Sequence, residues 1–163
     1  MRILLFITVF FLSYTEFGFR GSNCDEFLIK NDTTKAIELS IQKSFYRHTM
    51  PEVEFLIRSY KSGDSILFTS EKKFLRYLPS EVDSLKFKII EKKNICSLLA
   101  SDTTWKNRHY LSLQYFERRN NKFEIVLVNK NCNQYTSGGG LGISIIKDSD
   151  SLKVIHIGAF NIN

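Results

Sequence analysis

Apolar residues recur every four positions in "NDTTKAIELSIQKSFYRHT", at Ile37, Ile41 and Phe45, which places them on one stripe of a helix. Asp32 and Thr33 suit the N-cap, because their side-chain oxygens accept backbone N–H groups that a first helical turn leaves unpaired. Pro51 closes the region, and a helix over 33–47 follows. Beyond Pro51 the period falls to two. "VEFLIRSY" and "SILFTS" flank "KSGD", whose Gly63 suits a tight turn, and together they predict a hairpin. "SEKKFLRYL" reads as a short helical turn capped by Ser70 and stopped by Pro79. "LKFKII" alternates again, with Leu85, Phe87 and Ile89 against Lys86 and Lys88. "NICSLLA" reads as a short helix with Asn94 as its cap.

The last third carries four β-rich runs, "YLSLQYF", "FEIVLV", "LGISIIK" and "LKVIHIG". Asn120-Asn121 separates the first two, and Asp148-Ser149-Asp150-Ser151 the last two. Such side chains bond their own backbone and tolerate positive φ, which is turn chemistry. Short connections favour antiparallel neighbours, so these runs predict a four-strand meander. A helix first and strands after argues an α+β fold, in which the N-terminal helix packs on one face of a curved antiparallel sheet. One domain over 25–163 is expected. Strict alternation turns Leu111, Leu113 and Tyr115 inward, then Phe123, Ile125 and Leu127, then Ile143 and Ile145. It places His156 on the face of Leu152 and Val154.

Residues 1–21 change the picture of where this domain works. Arg2 precedes an apolar run over 3–12 interrupted only by Thr8, the layout of a secretory leader and too short for a comfortable bilayer span. Export, periplasmic or secreted, is the expectation, with no membrane span once the leader is removed. An A-x-A cleavage pattern is absent. A lipidated Cys24 is the lesser alternative, since Gly21, Ser22 and Asn23 lack the aliphatic and small residues of a bacterial lipobox. Three cysteines, Cys24, Cys96 and Cys132, allow one disulfide and one spare thiol; Cys24–Cys132 and Cys96–Cys132 are both open. No C-x-x-C pairing occurs, which excludes a zinc ribbon. Asn31-Asp32-Thr33 is a glycosylation sequon, relevant only to a eukaryotic source.

The chain has 163 residues and a net charge of +6, spread along its length. Each "EKK" (71–73 and 91–93) brings its own acid, which describes solvated faces and not a nucleic-acid footprint. Hydrophobic residues at 43% and charged residues at 25% belong to an ordinary globular protein.

Candidate chemistry is sparse. Gly138, Gly139 and Gly140 precede an apolar strand, whereas a phosphate loop needs a following helix and a Lys-Ser or Lys-Thr pair. Their expected role is a bulge, a bend or a close backbone approach, with positive φ making Gly140 intolerant of β-branched residues. No cofactor is expected. His48, His109 and His156 lack an H-x-H or H-E-x-x-H spacing, so no metal site is expected either. Cys96 with His109 or His156, and Ser112 with His109 and Asp102, have the right residue types for nucleophilic catalysis. However, Cys96 lies among Ile95, Leu98 and Leu99, where a thiol packs as a small hydrophobe, and no G-x-S-x-G elbow frames Ser112. Trp105, Lys106, Arg108, Tyr110, Arg118 and Arg119 mix aromatic and cationic groups that could meet sugars or anions. The plainer reading makes Trp105 a loop plug and Arg118 and Arg119 a soluble hairpin end.

"SGGGLGISIIKDSDSLKVIHIG" (137–158) resembles the closing hairpin of small immunity-type proteins with the NTF2 fold: glycines, an apolar strand, a charged turn and a final strand. The Asn-, Phe-, Tyr- and Lys-rich composition resembles that of uncharacterised small exported proteins of Bacteroidota-type bacteria. The resemblance covers 137–158 only and implies a cystatin- or NTF2-like fold and a non-catalytic exported binding module, with another cell-envelope protein as partner. No catalytic residue transfers with it. The alternative is a small NTF2-like hydrolase or isomerase using His156, which would need a deep pocket joining His156 to Asp102, Glu117 or Cys132.

Overall fold

A computed structural model describes residues 23–46, 63–101, 109–130, 132 and 138–162. The chain divides into two compact units, 1–31 and 32–163, with the boundary inside the first helix. That helix, α1, spans Asn23–Tyr46 and so begins well before the sequence expectation. In the second unit its buried positions are Thr33, Ala36, Ile37, Ser40, Ile41 and Ser44, a stripe at three- and four-residue spacing. The two buried serines are satisfied within the helix: Ser40 donates to the Ala36 carbonyl at 2.8 Å and Ser44 to the Ser40 carbonyl at 2.6 Å. Asp32 and Thr33 lie inside the helix, not at its cap, because both have tertiary roles. Thr33 joins the buried stripe, and Asp32 pairs with the sheet.

Seven strands form a strongly curled mixed sheet in the order β2-β3-β1-β4-β5-β6-β7. They are β1 (Ile66–Ser70), β2 (Glu81–Val82), β3 (Leu85–Glu91), β4 (Tyr110–Arg119), β5 (Lys122–Lys130), β6 (Gly138–Asp148) and β7 (Ser151–Ile162). Helix and sheet make the fold α+β, but the sheet is not purely antiparallel. β1 pairs in parallel with both β3 and β4. Every residue of β1 is buried, as parallel strands covered on both faces require. Parallel neighbours need crossovers, and the short helix α2 (Ile95–Ser101) lies in the connection from β3 to β4. "VEFLIRSY" lies outside the described residues, and its intended partner β1 has only parallel neighbours among them. Gly63 does take a positive φ of 93°. Ser70 ends β1 and donates to the Leu113 carbonyl at 3.2 Å, while the 3-10 turn Lys72–Tyr77 starts after Glu71.

β4, β5, β6 and β7 follow one another in space, each antiparallel to the last. Their tight turns fall at Asn120-Asn121 and Ser149-Asp150, with Asn120 at φ 53° and Ser149 at φ 52°. The core lies between α1 and the sheet and contains Ile37, Ile41, Phe68, Leu113, Phe123, Ile125, Ile143 and Ile145. A ring chain, Phe74–Phe116 at 5.9 Å and Phe116–Phe123 at 6.3 Å, continues it.

Two β-bulges reset which residues face that core. One shifts the register between Leu113 and Tyr115 in β4, the other at Ser144/Ile145 opposite β7, where Ile155 is the extra residue. Tyr115 therefore points away from the core and is 46% exposed, while Phe116 packs inward. His156 leaves the face of Val154 and joins that of Ser144. Both inward assignments from strict alternation are corrected by these bulges.

Cys96 of α2 is disulfide-bonded to Cys132 after β5, with Cα atoms 5.6 Å apart. The link closes a loop over a sequence separation of 36 residues and is worth about 4 kcal/mol on chain-entropy grounds. Cys96 is thus an exposed disulfide partner, not a buried packing thiol. Cys24 lies in the first turn of α1. Among the described residues no helix is long and apolar enough to cross a membrane.

Candidate functional site

The antiparallel register builds a polar row on the sheet face turned away from α1. Glu117 of β4 stands opposite Glu124 of β5, Glu124 opposite Ser144 of β6, and Ser144 opposite His156 of β7. Each carboxylate in the row is closed by neighbours. Glu117 accepts hydrogen bonds from the Tyr115 hydroxyl and from Arg119 Nε at 2.7 Å. Glu124 accepts from Lys122 Nζ at 2.5 Å and from Ser144 Oγ at 2.7 Å. The Tyr115 bond, then the Arg119 bond, holds Glu117 below the usual carboxylate range, and the bond to Glu117 pushes the Tyr115 phenol up. The Lys122 bond holds Glu124 below the usual range, against an opposing effect of burial and with a smaller downward effect of the Ser144 bond. His156 is exposed and makes no side-chain hydrogen bond among the described residues.

Beside this row the sheet surface is almost bare. Tyr115, Val126, Gly142 and Gly158 form the next row, so two adjacent strands present only backbone. The side chains of His156 and Phe160 bound that bare patch along β7. A Cβ added to Gly158 would lie 3.1 Å from His156 Nε2, and one added to Gly140 would lie 2.7 Å from Phe160 Cε2. Gly140 is in a strand and has no positive φ, which corrects the reason for its glycine. Close approach of the Phe160 ring requires it.

The predicted catalytic constellations do not assemble among the described residues. Glu117 and His156 share a row but stand three strand spacings apart, about 14 Å. Cys132 is consumed in the disulfide with Cys96, which also removes Cys96 as a nucleophile. Asp102 lies outside the described residues, as do His48, Trp105, Lys106 and Arg108. Ser112 is fully buried and accepts from Thr69 Oγ1 at 3.2 Å and Gln114 Nε2 at 2.5 Å. His109 is half-buried, with Nδ1 3.1 Å from Asn129 Oδ1. Burial pushes its pKa down, against a smaller upward effect of the Asn129 bond. Burial likewise pushes the Tyr110 phenol up. Ser144 lies between Glu124 and His156 and gives its proton to the carboxylate. A nucleophilic serine needs the opposite order, with the imidazole between hydroxyl and acid. Among the described residues no three His, Cys, Asp or Glu side chains converge as metal ligands.

Arg118 and Arg119 separate completely. Arg119 serves Glu117 on the outer face. Arg118 points to the α1 side, lies 5.3 Å above the Phe123 ring and reaches Asp32 at 3.9 Å. Lys147 donates to the same Asp32 oxygen at 2.7 Å. This Asp32–Lys147–Arg118 cluster joins positions 115 residues apart and has no sequence signature beyond cations in otherwise apolar strands. No family model matches the chain, and no curated protein or solved structure matches it significantly.

Proposed function

We propose that the protein is an exported, non-catalytic binding module of immunity type, whose partner is another protein of the cell envelope and engages the sheet around β7. The observation that carries this reading is the closed polar row. Its two carboxylates are ionised and already paired, so neither is poised to exchange a proton at neutral pH. The same face offers a ligand glycine backbone at Gly142, flanked by the Phe160 ring over Gly140 and the His156 ring over Gly158. The Cys96–Cys132 disulfide supports export, since such bonds persist in oxidising compartments. So does the leader-like segment 1–21. The proposed fold relation is to cystatin- and NTF2-like proteins, supported by α1 against a meander of β4 to β7.

Affinity capture from the native cell envelope, run beside a hydrolase and isomerase substrate panel, tests the reading. A stable partner that His156→Ala weakens, with no turnover, is the expected result. Turnover abolished by His156→Ala in a folded protein would establish the small-enzyme alternative. Intact-mass measurement of the natively exported protein should show a chain lacking about the first 20 residues. A retained leader, or a diacylglyceryl group on Cys24, contradicts simple cleavage.

A further inference from the structure

The strand β7 ends the sheet order, so one side of its 12-residue ladder has no strand beside it among the described residues. Exposed ladders usually carry devices against pairing, and β7 carries two: the bulge at Ile155 and the outward Lys153. Yet it also carries two of the three large apolar side chains that the described surface exposes, Ile155 at 52% and Phe160 at 39%. Beside this edge runs a groove of about 410 Å³ between β7 and α1. The residues that line it beyond the strand itself are Leu39 and Lys43 of α1. Leu152, Val154 and Ile157 turn their side chains to the core side there.

The charge at this edge selects among occupants. Lys43 and Lys153 are exposed and have no ion-pair partner among the described residues, and His156 stands with them. A second copy pairing through its own β7 would bring a second Lys153, and no acid of that strand, to this edge. An acidic strand would meet complementary charges.

We infer that β7 and the groove along α1 take up an extended, acidic segment of a partner protein as an eighth strand. Main-chain hydrogen bonds to the free side of β7 hold the segment. Its side chains on the α1 side enter the groove over Leu39 beside Lys43, while its carboxylates on the outer face meet Lys153. This inference rests on the binding-module reading and specifies the partner's chemistry and its mode of docking.

The test uses the full chain and two pools of synthetic peptides of about ten residues, a usual strand length. One pool alternates Asp or Glu with Val, Ile or Thr; the other replaces the acids by Lys. Fluorescence anisotropy reads binding, and isotope-edited NMR reads NOEs between peptide and β7 amides. The acidic pool should bind and show cross-strand NOEs confined to β7. The double variant Lys43→Glu/Lys153→Glu should weaken binding about tenfold or more without altering the fold, and N-methylation of alternate peptide amides should abolish it. Equal binding of the basic pool, NOEs elsewhere, or no binding at about 1 mM peptide would overturn the inference. So would self-association through β7 seen by sedimentation. The binding-module reading survives those failures if the captured partner binds without touching the β7 edge; it fails separately if turnover is found.

Discussion

At the scale of single residues, the side chains whose roles differ from expectation are those with a tertiary partner. Asp32, Thr33 and Ser70 all have cap chemistry, and all three are drawn into the core or the sheet instead. Gly140 has the expected architectural role for a different reason, the ring of Phe160. Gly140→Ala should destabilise the protein by about 1–2 kcal/mol in urea unfolding, because the ring must move. Adding Phe160→Ala should recover most of that loss; independent, additive losses would show that the two positions do not touch. His109 supplies a pH dependence. Its folded pKa is depressed by burial, so its contribution is complete above the unfolded value of about 6.5 and is lost as pH falls through the lower folded value. The His109 imidazole should accordingly titrate below about 6.5 by NMR, and His109→Gln should flatten the stability decline in that range. An ordinary or raised titration would contradict the burial argument.

At the scale of elements, periodicity read the buried half of α1 and the existence of the late strands, because the stripe of α1 and the stretches between bulges each keep one period. The stripe at Ile37 and Ile41 is buried as its spacing requires, and Asn120 and Ser149 mark their turns. Three features were not legible. The parallel placement of β1 depends on which strands flank it, and a five-residue apolar run looks alike in a hairpin and in a covered parallel sheet. The bulges in β4 and at Ile155 of β7 carry no residue signal, yet each inverts the faces beyond it. For this reason alternation put His156 inside and Tyr115 beside Leu113, and the row from Glu117 to His156 became visible only through register. The lock between α1 and the sheet was equally hidden, since its members lie far apart in sequence. Asp32→Asn removes the carboxylate shared by Lys147 and Arg118 but leaves both cations partly covered. Because these groups retain some solvent contact, the expected loss is about 1–2 kcal/mol, below that of a fully buried pair. Lys147→Met in the Asp32→Asn background should restore part of it. A neutral Asp32→Asn variant would show that the cluster contributes nothing to the packing of α1.

At the scale of the whole second unit, two surfaces are assigned different tasks. The α1 side of the sheet holds the core and the Asp32 cluster. The β7 side collects glycine backbone, exposed Ile155 and Phe160, and an imidazole and two lysines that have no side-chain partner among the described residues. Together with the paired carboxylates of the polar row, this distribution is what leads to the proposal of a protein partner at β7, the central claim. Hydrogen exchange of the protein, alone and bound to a partner obtained by affinity capture, tests that claim most directly. The account predicts slowed exchange concentrated in Ser151–Ile162, with Asn23–Tyr46 affected only near Leu39 and Lys43. A partner that leaves β7 exchanging as in the free protein, and protects Leu85–Glu91 at the far side of the sheet instead, would contradict it.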